Sequence, residues 1–70
     1  MQNILDQYIN GNLTAAKSLA RRVPWRSLYA FLRDEAGMED NEARAVADYL
    51  KGKGSFQAAC DAAIGKAVQS

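Results

Sequence analysis

Histidine is missing from this sequence altogether, and cysteine and proline occur once each. Without histidine, Ser-His-Asp and Cys-His nucleophilic arrangements cannot be assembled. One cysteine and no imidazole also fall short of the three or four N/S ligands that zinc or iron requires. The lone Cys60 leaves no internal disulfide, which suits a reducing compartment. No apolar run approaches the ~20 residues that span a bilayer. The opening MQNILDQYIN has neither a basic nor an apolar signal region. These absences lead to the expectation of a cytoplasmic protein that is not an enzyme and uses no metal, cofactor or membrane.

What is present describes a small globular chain. Of 70 residues, 49% are hydrophobic and 24% charged, an ordinary folded composition. The expected organisation is one helical domain over residues 1–70, near the lower size limit for independent folding. So small a core favours a homodimer or a bound partner. The formal net charge of +1 hides a segregation along the chain. Lys17, Arg21, Arg22, Arg26 and Arg33 precede Asp34 with no acid among them, and Asp34, Glu35, Glu39, Asp40 and Glu42 follow. Such a pattern fits an oppositely charged partner, a second copy head to tail, or simply two solvated faces.

Punctuation by Gly11-Asn12, Val23-Pro24, residues 37–40 and residues 52–55 divides the chain into five short helices. The first, over 2–10, gathers Ile4, Leu5, Tyr8 and Ile9, with Gly11 as its C-terminal cap and Asn12 as the N-cap of the next. The second carries Leu13, Ala16, Leu19, Ala20 and Val23. Pro24 suits the first position of the third helix. There Trp25, Leu28, Tyr29, Phe31 and Leu32 cover about 160° at 100° per residue, which predicts that this helix is central. Asp40 or Asn41 caps the fourth, with Ala43, Val46, Ala47 and Leu50 as a narrow stripe and Tyr49 off it, as a contact on a second surface. Gly52 ends it. Ser55 caps the fifth, where Phe56, Ala59, Cys60, Ala63 and Ile64 share one side. Gly65 costs up to about 1 kcal/mol relative to alanine, which predicts fraying from Lys66 onward. With no strand signal, the expected class is all-α, a compact bundle of about five short helices.

Three stretches invite a chemical reading. Glu39, Asp40 and Glu42 lack the ligand order and central glycine of a calcium loop, and read instead as acids suited to a helix N-terminus. Lys51-Gly52-Lys53-Gly54 has no preceding strand and no Gly-Lys-Ser/Thr spacing, so it reads as a helix–helix connection rather than a phosphate loop. Cys60 on an alanine-rich face reads as a small core residue.

The segment VPWRSLYAFLRDEAGM resembles the second half of a helix-turn-helix of the Fis or resolvase type. That resemblance implies that Trp25, Arg26, Ser27 and Ala30 face the major groove while Arg21, Arg22 and Arg33 hold phosphates. Arginine reads guanine bidentately, and phosphate contacts set the register of such a helix. The preceding half departs from the pattern: Arg22 stands in the glycine position, Arg21 in an apolar one and Ser18 in that of a small alanine. Over the whole chain, length, the opening INGNLTAAKSLAR and the ending YLKGKGSFQAACDAA resemble small helical accessory proteins of tailed phages and prophages. This second resemblance implies an accessory regulator, or a protein that binds and redirects a protein of a bacterial host cell.

The leading expectation is therefore an inhibitor or adaptor acting by protein–protein contact with a host protein. A DNA-binding transcriptional regulator is the alternative. Tryptophan, tyrosine and arginine dominate binding hot spots, which nominates Arg22, Trp25, Arg26, Tyr29 and Arg33 as one partner-binding surface. Trp25 and Tyr29 also read individually as core.

Overall fold

In a computed structural model of the chain the backbone is described for residues 2–69 and side chains for residues 2–64. The elements are α1 (Gln2–Ile9), α2 (Leu13–Ala20), α3 (Trp25–Asp34), α4 (Asp40–Leu50) and α5 (Phe56–Gln69), with no strand among the described residues. The chain is all-α, as its periodicity predicts. Its radius of gyration is 10.9 Å, against about 11 Å for a packed domain of this length.

Local chemistry explains the breaks. Gly11, Gly37 and Gly52 have φ of 83°, 74° and 79°. After α4, left-handed Gly52 lets the Lys53 amide donate to the Asp48 carbonyl at 2.7 Å, the six-to-one bond of a Schellman end. Gly54 then passes close to α4, where an added Cβ would lie 3.1 Å from Cβ of Asp48 and 3.3 Å from the Tyr49 amide nitrogen. The Ser55 hydroxyl accepts from the Ala58 amide at 3.1 Å and starts α5 as expected. Pro24 lies one residue earlier than expected, at the N-cap of α3 in extended conformation.

One expected cap keeps its position without its bond, and one is replaced. Asn12 is the N-cap of α2, as expected, but makes no side-chain cap bond; its side-chain amide Nδ2 instead donates to the Gln7 side-chain oxygen at 2.9 Å. Glu39, not Asp40 or Asn41, is the N-cap of α4, also without a side-chain bond. The Asp40 carboxylate is drawn away to Tyr29.

The central helix is α4 rather than α3. It buries Ala43, Val46, Ala47, Tyr49 and Leu50, an arc of about 160° at 100° per residue. It meets α3 on one side and α5 on another, and also touches α2. In α3 only Leu28 and Leu32 are fully covered, while Trp25, Tyr29 and Phe31 are partly so. Small residues decide this ranking. Ala43 and Ala47 on α4, Ala16 and Ala20 on α2 and Ala59 on α5 are all at or below 1% exposure, so backbones approach closely there. Leu28, Leu32, Val46 and Leu50 fill the interior, each stabilising the fold by about 1.5–3 kcal/mol through burial.

Tyr49, expected on a second surface, is a core residue. Its ring lies between Tyr8 of α1, with centroids 6.5 Å apart, and Phe56 of α5, 5.5 Å away. The Lys17 ammonium sits 4.4 Å from its centroid. Burial raises the pKa of the neighbouring Tyr8 hydroxyl, with Cys60, Glu42 and Tyr49 adding to the rise. Conversely, the α5 stripe is only partly used. Ala59 is buried, Cys60 half-buried, and Phe56 and Ile64 remain 45% and 60% exposed, because α5 packs chiefly on α4 alone. The fraying predicted from Lys66 onward falls on residues outside the described side chains.

One long-range contact ties the two halves together. The Lys51 ammonium, just past α4, donates to the Ala20 carbonyl at 3.1 Å and to the Val23 carbonyl at 2.7 Å. It thereby satisfies carbonyls at the C-terminal end of α2, where the helix dipole favours a cation. Lys51→Met should lower unfolding free energy by about 1.5–3 kcal/mol, the range for bonds from a charged donor. The exposed Lys53→Met should stay within about 0.5 kcal/mol of wild type in the same urea titration.

Candidate functional site

The five nominated residues divide into two groups. Trp25 and Tyr29 lie one turn apart on α3 and stack face to face, centroids 5.0 Å apart and planes at 7°. Both are half-buried toward α4. The Trp25 indole N–H donates to the Asp48 carboxylate at 2.7 Å. The Tyr29 hydroxyl donates to the Asp40 carboxylate. Their polar tips are therefore consumed in joining α3 to α4.

Arg33 belongs partly to this junction. Its Nη1 donates to the Tyr29 hydroxyl at 3.0 Å and lies 4.0 Å from Asp40, with half of its side chain exposed. Arg44 approaches Asp40 from α4 itself, Nε to carboxylate at 3.1 Å. Both guanidinium groups also lie near the Tyr29 ring, at 5.6 and 5.8 Å. The Tyr29 hydroxyl holds the Asp40 carboxyl below the ordinary carboxylate range, with Arg44 and Arg33 adding, while partial desolvation opposes it. Tyr29 likewise heads the causes that raise the pKa of Arg33 and of Arg44.

Arg22 and Arg26 form the second group, together with Arg21. All three are exposed at the corner between α2 and α3. None of the three side chains makes a hydrogen bond or ion pair among the described residues. Arg21 thus stands in solvent, where a helix-turn-helix usually places an apolar residue. Of the four residues that resemblance directs to the groove, Arg26, Ser27 and Ala30 are exposed, while Trp25 turns to α4. The main packing partner of α2 is α1, and that of α3 is α4.

Sequence reading missed the acceptors Asp40 and Asp48, which turn two aromatic side chains inward. The available signal was the pairing of buried-face tyrosine and tryptophan with acids on the next helix, since buried O–H and N–H groups need partners. No polar or charged side chain is buried among the described residues. A shallow depression of about 590 Å³ between α1 and α2 is lined by Gln7, Gly11, Asn12, Leu13, Thr14 and Ala15, none of them charged or aromatic. No group of three or more His, Cys, Asp or Glu suited to a metal ion exists among the described residues, and no described helix is long and apolar enough to cross a membrane.

Most of the charges at the ends of α3 oppose its macrodipole, Arg33 in the last turn being the favourable exception. Arg26 sits in the first turn, Asp34 is the last helical residue and Glu35 is the C-cap. A cation at the N-terminus and anions at the C-terminus each cost roughly 0.3–1 kcal/mol at an exposed site. Breaking a local rule in this way is expected where a surface serves contacts outside the chain. Comparison with known proteins finds no matching family model, curated protein or solved structure.

Two measurements follow from this geometry. Asp34→Arg, like Arg26→Asp, should raise unfolding free energy by about 0.3–1 kcal/mol at low salt; a fall would show that these charges already stabilise α3. Asp40 has a depressed folded-state pKa, so its stabilisation is complete above the unfolded value of about 3.9 and is lost as pH drops through the folded value. Melting temperature followed from pH 6 to about pH 2 should therefore decline more steeply in the wild type than in Asp40→Asn. Parallel curves would mean that the Tyr29–Asp40 junction contributes nothing.

Proposed function

We propose that this chain is a non-enzymatic binding protein that docks the α2–α3 corner on an acidic surface of a host-cell protein. It would act as an accessory regulator or inhibitor, in the manner implied by the resemblance to small phage-encoded helical proteins. The observation that carries this reading is the state of Arg21, Arg22 and Arg26: three exposed side chains at one corner that make no hydrogen bond or ion pair among the described residues. Arginine is the cation best suited to bidentate pairing with carboxylates at an interface. Trp25 and Tyr29 contribute a rigid stacked platform beneath the corner, so the contact surface is Arg22 and Arg26 with Arg21, while Arg33 marks its edge.

DNA remains the competing ligand, because the same cations follow a helix and a turn and lead into α3. The two readings separate by salt and by partner. Binding to duplex through neutralised phosphates would fall steeply with salt as counterions are released. On the protein-binding reading, the tagged chain retains one protein species from nuclease-treated bacterial lysate, and duplex DNA does not compete. Arg22→Glu with Arg26→Glu abolishes that retention at unchanged helicity. Retention unaffected by the double substitution removes the corner from the interface. Tight, salt-sensitive binding to short duplexes with no retained protein replaces this reading by the DNA one.

A further inference from the structure

The outer face of α3 has a symmetry that the corner alone does not use. Arg26, Ala30 and Asp34 are successive members of one i, i+4 row, and all three are exposed. The row is bipolar, with a cation and an anion separated by about 12 Å at 1.5 Å per residue and the smallest side chain midway. The side chains of Arg26 and Asp34 make no hydrogen bond or ion pair among the described residues, although Asp34 adds to the electrostatic field on its neighbour Arg33. Both charges also oppose the dipole of α3, so the arrangement is not one that local helix stability favours.

We infer that this row is a self-association surface, on which a second copy of the chain packs α3 against α3 in antiparallel orientation about a two-fold axis at Ala30. A two-fold contact is self-complementary: each residue meets the one at equal distance on the other side of the axis. With Ala30 on the axis, positions 26 and 34 exchange places. Arg26 of each copy then faces Asp34 of the other, and both charge pairs form at once. The alanine lets the two backbones approach. In the commonest helix-packing class the i, i+4 rows of the two helices run alongside each other with axes inclined about 50°. That geometry carries each arginine along the row to the opposing carboxylate. Arg33 lies beside the row, but Tyr29 and Asp40 already engage it. The exposed apolar side chains of α5, Phe56 and Ile64, have no such complementarity, which favours α3 as the meeting face.

The test uses the purified full chain without any partner, so it stands or falls separately from the host-protein reading. Sedimentation equilibrium at low ionic strength should show a monomer–dimer equilibrium that weakens as salt shortens the Debye length from ~30 Å at 0.01 M to ~3 Å at 1 M. Arg26→Asp or Asp34→Arg alone should weaken association by about tenfold or more, since each reversal replaces two attractions by two repulsions. Together, R26D and D34R should restore it to near the wild-type value. Ala30→Cys in a Cys60→Ser background should cross-link into covalent dimers under mild oxidation, because a residue on the axis meets its own copy within the ~4.4–6.8 Å Cα span of a disulfide. A monomer at every concentration and salt overturns the inference. So do single reversals without effect, a double variant that fails to recover, or an Ala30→Cys variant that stays uncross-linked. Circular dichroism on each variant establishes that the helices are retained.

Discussion

Close approach to α4 is the constraint on which the other helices depend. Ala43 and Ala47 have almost no side chain to hold neighbours apart, and Val46, Leu50 and Tyr49 fill the space on either flank. Because α4 presents a buried arc rather than a stripe, α3 and α5 can each find a face on it. The same closeness explains the connection after it, where Gly54 passes so near Asp48 and Tyr49 that a Cβ would be crowded. Lys51 then reaches from the end of α4 to the carbonyls closing α2, so one short segment holds α5, α4 and the α2–α3 corner in fixed relation.

That packing sorts the arginines. Docking α3 on α4 brings Tyr29 to Asp40 and Trp25 to Asp48, and the carboxylate of Asp40 gathers Arg33 and Arg44 around the same hydroxyl. Arg21, Arg22 and Arg26 lie at the other end of α3, where Trp25 takes the Asp48 carboxylate and the three side chains make no hydrogen bond or ion pair among the described residues. A chain of near-neutral net charge thus keeps, at one end of α3, a cationic corner without an ion pair among the described residues and, at the other, an acidic end. The acidic end includes Asp34 and Glu35, which with Arg26 run against the helix dipole, while Arg33 runs with it. Binding surfaces commonly retain such locally unfavourable choices, because removing them would trade recognition for stability.

The candidate site was legible in the sequence as a set of residue types, but not as a surface. Spacing placed Trp25, Arg26, Tyr29 and Arg33 along α3, and that much holds. Whether a residue on such a helix faces water or a neighbour depends on which acid stands opposite. Asp40 and Asp48 are 11 and 23 residues from the aromatic partners they engage. Tyr49 failed for a related reason. Periodicity describes the main contact face of a helix, and Tyr49 lies on a flank that α1, α5 and Lys17 of α2 enclose together.

By itself the sequence determined the number of helices, their breaks and the all-α class. These follow from glycine, proline and serine at chain breaks and from a 3.6-residue period, and each acts within a few residues. Tertiary structure alone decided that α4 is central and α3 peripheral, that Tyr49 is core, and that three arginines stay open while Arg33 is engaged. Those outcomes depend on the depth to which small side chains let two helices approach and on the charges that meet when they do. Both are properties of pairs of surfaces, which no single helix specifies.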